Sequence, residues 1–266
     1  MRHRLMVVAV VGLWLVMMAT LVRRWLLEVK PQSVPGTYRS VLTKERRNYQ
    51  TRMGVWLQRG EGLERVGYTE TVFFYSDDGR STVTNVTRVE GSGGGVLGRL
   101  SAFELTTTVV VDGWQRLERL IVQLSSKLLR ARCSGRVVDG VLRLHTLVGN
   151  EESDYEVALP PGGMVSNGLS PLLALPPLRV GARWTVTVVD PFTFQPYPVE
   201  LEVLRREPIE WEGATWDTHV VAIRMGLLEA QAWVSRDGEV LKEQSLFGRL
   251  TLIKERTIEE PADVPR

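Results

Sequence analysis

Residues 5–22 carry no charged side chain, and most are apolar; Met1-Arg2-His3-Arg4 precedes the run and Arg23-Arg24 closes it. Eighteen residues at about 1.5 Å each make a helix of roughly 27 Å, close to the hydrocarbon thickness of a bilayer. The run exceeds the roughly 7–15 residue core of a secretory signal peptide. Its small-residue cleavage candidate, near Ala19-Thr20, has Met17 where a small residue is expected. The segment therefore reads as an uncleaved anchor rather than a removed signal. Leu5, Val11, Leu13, Trp14, Leu15 and Val22 would lie in the lipid, with Arg23 and Arg24 snorkelling to head groups. Basic residues nearly balance across the run, so charge alone leaves the sidedness open.

The pattern then changes period. After a linker at 31–37, Asp-Gly pairs recur at Asp78-Gly79, Asp112-Gly113, Asp139-Gly140 and Asp237-Gly238, each between stretches rich in Val, Thr, Leu and aromatics. Asp-Gly accepts the positive φ of tight hairpin turns, so four antiparallel hairpins are predicted. Thr106–Val111, Trp114–Ser125, Leu128–Val138 and Val141–Val148 read as one meander. Leu117, Leu120, Ile121, Leu124 and Leu128 also fit a helical stripe; the closely spaced turns favour strand. Val138, Leu142, Leu144 and Val148 are assigned to one face and Val137, Val141 and Leu147 to the other. Apolar residues on both faces suit a strongly curved sheet or incomplete barrel. Its expected content is a short helix within 162–178, with Ser170 as N-cap, Pro171 at the first position, and Leu169, Leu172 and Leu173 on the apolar side. Further strands are predicted over 184–190, 198–206, 215–225, 229–235, 240–244 and 250–255.

The expected fold is thus mostly β: an N-terminal transmembrane helix (1–30 with its flank), then a curved antiparallel half-barrel-like sheet wrapping a short helix over 38–258, and a tail at 259–266. A division into 38–160 and 179–258 is the two-subdomain variant. Residues 74–80 and 233–239 also echo each other, which common hairpin chemistry explains more simply than duplication.

Composition narrows the function classes. A net charge of +2 gives no electrostatic footprint for nucleic acid. Cys133 is the sole cysteine, so no internal disulfide forms. His145 and His219 lie mid-strand, without zinc-ligand spacing. Gly91-Ser92-Gly93-Gly94-Gly95 lacks the Lys-Ser/Thr ending of a phosphate loop and reads as a flexible connection. Asp77-Asp78 and Glu151-Glu152 read as solvated loop carboxylates. Asn85-Val86-Thr87 matches a glycosylation sequon, a pattern common by chance. No cofactor and no catalytic constellation is expected. Of the eight tryptophans, Trp14 and Trp25 belong to the anchor and its interface. Trp184 and Trp233, with Leu169, Leu172 and Leu173, form the candidate apolar groove.

Met53-Gly54-Val55-Trp56-Leu57 followed by Arg65-Val66-Gly67-Tyr68 resembles the opening of a bacterial extracytoplasmic β domain of unknown function. So do Leu178 to Trp184, Asp190 to Phe194 and Trp233 to Glu243 in the second half. That domain occurs ahead of or beside transglutaminase-like modules; more loosely, the curved sheet is similar to the open half-barrels of lipoprotein carriers. The resemblance implies a soluble part outside the cytoplasm, tethered to a bacterial inner membrane. It departs from that architecture in having no Cys-His-acid enzyme module. The expectation is a non-enzymatic domain that meets the membrane through its helix and binds a lipid, lipoprotein or envelope protein partner, with no nucleic acid. The alternative is an accessory subunit positioning a separately encoded transglutaminase-like enzyme.

Overall fold

A computed structural model describes residues 48–90, 102–114, 116–158, 164–165, 178–189, 196–226, 228–245 and 249–259. The chain divides into two compact units, 1–33 and 34–266, and every described residue belongs to the second. No described helix is long and apolar enough to cross a membrane. The expected anchor helix, the linker, the glycine-rich connection and the final seven residues, 260–266, lie outside the described residues. So does most of the segment 162–178 where a helix is expected, but Met164–Val165 within it is a strand paired with the chain that follows.

The described residues form β1 (Tyr49–Arg59), β2 (Gly62–Tyr75), β3 (Ser81–Val89), β4 (Phe103–Val111), β5 (Leu117–Ser126), β6 (Arg130–Val138), β7 (Val141–Val148), β8 (Glu151–Ala158), β9 (Met164–Val165), β10 (Arg183–Val189), β11 (Pro196–Trp211), β12 (Ala214–Met225), β13 (Leu228–Ser235), β14 (Val240–Ser245) and β15 (Leu250–Glu259). They make one 15-stranded sheet in the order 8-7-6-5-4-3-2-1-15-14-13-12-11-10-9. Every pairing is antiparallel except β9 with β10. The chain starts at the middle of the sheet, meanders outward to β8, resumes at the opposite edge and meanders back until β15 pairs with β1. The sheet is open, with β8 and β9 as its edges, and it runs without interruption through both halves of the domain.

All four Asp-Gly pairs sit in hairpin connections. Alternating strand direction puts all four at the end of the sheet where β1 begins. Asp139 and Gly140 both have positive φ, 53° and 77°, as a two-residue hairpin requires. The turns at Gly79 and Gly238 share one construction. The glycine N–H donates to Ser76 or Ser235 O at 3.0 Å, and the serine N–H donates to Arg80 or Glu239 O. This is a turn closed by a left-handed glycine, and it accounts for the echo between the two segments.

One sequence expectation changes here, and the strand favoured over a helical stripe from Leu117 onward is borne out, with its reason. The two-residue turn sets Val138 opposite Val141 and Val137 opposite Leu142, so Val137 faces inward and Val138 outward, the reverse of the expected assignment. The helical stripe is a strand with a bulge. Val110 pairs with Arg119 but Val111 with Leu117, leaving Glu118 as the extra residue. The bulge places Leu117 and Leu120 on the same inner face, so a three-residue spacing occurs within a strand.

The inner face holds the core. One cluster centres on Leu105, Val109, Leu120, Leu142 and Leu144, a second on Val199, Leu201, Val203, Val221, Ile223 and Val234. A third, with Val55 and Leu252, lies where β1 meets β15. The face is not wholly apolar. Asn85, 2% exposed, donates its amide hydrogens to Thr69 and Thr71 Oγ1 at 2.9 and 2.8 Å. Thr87 Oγ1 donates to Asn85 Oδ1 at 3.2 Å. Asn85 is thus a buried network residue, and its amide is closed to a glycosylating enzyme in the folded protein.

Candidate functional site

The groove tryptophans do not share a surface. Trp184 pairs with Leu201, and Leu201 with Ile223, so Trp184 belongs to the inner face. Trp233 pairs with Val220, the neighbour of inward-facing Val221, so it points to the opposite side. Each is 5% exposed. Trp184 joins the second core cluster. Trp233 donates its indole N–H to Glu207 Oε1 at 2.9 Å and lies under the Lys242 ammonium. Leu169, Leu172 and Leu173, like the anchor residues Leu5 to Arg24, lie outside the described residues.

The reactive side chains are also held apart. Cys133 faces inward, 6% exposed, and burial pushes its thiol up to about 11. His145 is the neighbour of Thr146, the register partner of Cys133, so the imidazole points to the other face. His219 is buried on β12, its pKa lowered first by burial and then by the positive charges of Arg206 and Arg236.

The open surface lies on the outer face of β5 to β8, near the Asp-Gly end. A groove of about 610 Å³ runs across these strands. Its floor is set by register. Arg119 pairs with Arg136, Arg136 with Arg143, and Arg143 with Glu156. The next row is Ile121, Ser134, His145 and Asp154. At the β8 edge the acids have partners: Arg143 meets Glu156 at 3.2 Å, and His145 Nδ1 lies within hydrogen-bond distance of Asp154 Oδ1 at 2.9 Å. Arg119 and Arg136 have no acidic partner among the described residues and are exposed. The groove thus combines two guanidinium groups, unpaired among the described residues, with the apolar Ile121 and the hydroxyl of Ser134, an arrangement able to hold an acidic group against a strand surface.

Sequence reasoning missed this row. The signal was present in Arg136-Val137-Val138-Asp139-Gly140-Val141-Leu142-Arg143, where a two-residue turn necessarily sets the two arginines opposite each other.

No protein-family model matches the chain, and no curated protein sequence matches it. The fold is similar to that of a solved structure, the β-barrel-like protein of domain of unknown function DUF1849 from Brucella abortus, with TM-score 0.52 and 11% identity, over 81% of this chain and 98% of that one. At this identity the likeness concerns the fold: a barrel-like β domain. It carries no link to transglutaminase-like modules, so that part of the resemblance is not supported.

Proposed function

We propose that the protein is a membrane-tethered, non-catalytic binding domain on the outer side of a bacterial inner membrane. Its docking surface for a lipid, lipoprotein or envelope protein partner would be the outer groove of β5 to β8. The observation that carries this reading is the contrast between the two faces. The inner-face side chains Leu120, Leu142, Val199 and Val203 are fully buried, whereas the groove is open and holds exposed, unmatched arginines. Binding sites combine apolar surface with a few placed polar groups, and Ile121 beside Arg119 and Arg136 fits that description. A non-catalytic role is supported by a thiol kept protonated at neutral pH and by histidines that do not converge on it. The tether is supported by the apolar run over 5–22.

The test is photocrosslinking in the native cell. A photoreactive residue at Ile121 is expected to give a discrete adduct that Arg119→Glu with Arg136→Glu removes. The same residue at Val86, on the outer face of β3, should give none. An adduct pattern identical at both positions, or unaffected by charge reversal, overturns the reading. Sidedness is read separately from W114C in a C133S background. Trp114 is 82% exposed in the β4–β5 turn, and labelling by an impermeant maleimide in spheroplasts places the domain outside the cytoplasm.

A further inference from the structure

Three arginines stand directly opposite one another on adjacent strands, and like charges so placed oppose sheet formation. Glu156 offsets Arg143. On the other flank the neighbour of Arg119 is Val110, so Arg119 and Arg136 face each other without an acid between them. The ladder forces this arrangement. Adjacent strands lie about 4.8 Å apart, so both guanidinium groups reach one acceptor placed above the pair. Each guanidinium presents a planar fork of N–H donors that matches the oxygens of a phosphate or carboxylate. The two acids that line the groove, Asp154 and Glu156 at its β8 edge, are already engaged by His145 and Arg143. Ser134, diagonal to Arg119 and next to His145, offers a hydroxyl to a further ligand oxygen.

We infer that Arg119 and Arg136 form an anion site for a phosphate group, held between the two guanidiniums with Ser134 at its side. This deepens the proposed docking function and rests on the same groove. The phosphate chemistry is shared by free phosphate and by a phospholipid head group, and the test separates them. Binding relieves the cross-strand repulsion, so the site is matched to a charge that the described residues do not supply. Removing the pair then weakens binding without weakening the sheet.

The experiment is isothermal titration of the full chain in neutral detergent with two probes. One is inorganic phosphate; the other is glycerophosphoglycerol, a phosphodiester head group without acyl chains. Saturable binding with one site per chain is expected for at least one probe, and which one binds names the source. Arg119→Ser with Arg136→Ser should weaken that binding about tenfold or more, since two charge-assisted donors are lost. Arg130→Ser with Arg132→Ser, the same charge loss further along β6, should leave affinity within about twofold at fixed salt. Thermal unfolding of the Arg119/Arg136 variant should match or exceed that of the parent. Equal losses in both double variants would show a general effect of charge, and that result overturns the site. So does the lack of saturable binding for either probe. If both probes fail while the Ile121 adduct persists and depends on charge, the phosphate assignment falls and the docking reading stands.

Discussion

Gly67→Ala is the sharpest probe of the sheet. A Cβ at Gly67 would lie 2.0 Å from the carbonyl oxygen of Arg88 and 3.0 Å from Val89 Cα, both backbone atoms of the neighbouring strand. Bringing that oxygen from 2.0 out to 3.0 Å, the least separation real Cβ atoms show, requires β2 and β3 to part by 1.0 Å. The Glu90 N–H to Val66 O bond, 2.7 Å long, would then be broken. So would an adjoining rung of the ladder. Two buried hydrogen bonds at about 1–3 kcal/mol each, less about 0.5–1 kcal/mol gained from alanine's lower chain entropy, leave a net cost of about 1–5.5 kcal/mol. Gly62→Ala is the control, because its nearest neighbour is 4.0 Å away and its φ is not positive. It should be neutral or slightly stabilising. Urea unfolding of the full chain, followed by tryptophan fluorescence, measures both. A Gly67→Ala protein within about 0.5 kcal/mol of the parent would refute the close approach of the two backbones.

Asn85→Ala removes the acceptor and both donors at the centre of the Thr69, Thr71 and Thr87 network, and should cost about 2–4 kcal/mol in the same unfolding assay. Cys133, with its thiol pushed up to about 11, should resist a disulfide reagent at pH 8 in the native protein and react fully in urea; equal rates would contradict its burial. His219 gives a pH dependence of known sign. Its folded pKa lies below the ordinary imidazole value of 6.5, so the unfolded chain takes up the proton first. That contribution to stability is complete above 6.5 and is lost as pH falls from there towards the folded value. His219→Gln should therefore flatten the stability profile in the range just below pH 6.5, and an unchanged slope would show that another group controls it.

Much of the fold was legible because its signals are local. Asp-Gly pairs mark four hairpins, and alternating Val, Thr and Leu mark β4, β6, β7 and β10 to β15. What was not legible follows from bulges and edges. A single extra residue, Glu118, turned a strand's alternation into apparent helical spacing. β8, Glu151 to Ala158, was read only as loop carboxylates, because charged residues fill it where a buried strand would carry apolar ones. An edge strand is expected to be charged, since that deters pairing with another chain. The candidate groove failed for a related reason. Trp184 and Trp233 look alike in composition, but only the pairing register assigns each to a face.

The first-half motifs that carried the family resemblance turn out to be devices of the seam between the sheet's two halves. Gly54 lies on β1 between β2 and β15, and the Glu255 carboxylate occupies the space its Cβ would take. Arg65, from β2, reaches across β1 and donates to both Glu255 oxygens at 2.8 and 3.0 Å. Arg52 meets the same carboxylate at 3.3 Å and stacks over Tyr68. Gly67 is set where the register shifts, at the closest approach of β3. Met53-Gly54-Val55-Trp56 and Arg65-Val66-Gly67-Tyr68 therefore specify how β15 and β2 grip β1. They report on how the sheet is joined and carry nothing about what it binds. The arginine pair lies outside these motifs, on strands where the seam imposes nothing. A chain could keep the seam and lose the pair without losing the fold. Charge reversal at Arg119 and Arg136 thus separates binding from architecture, whereas substitution at Gly67 reports on architecture alone.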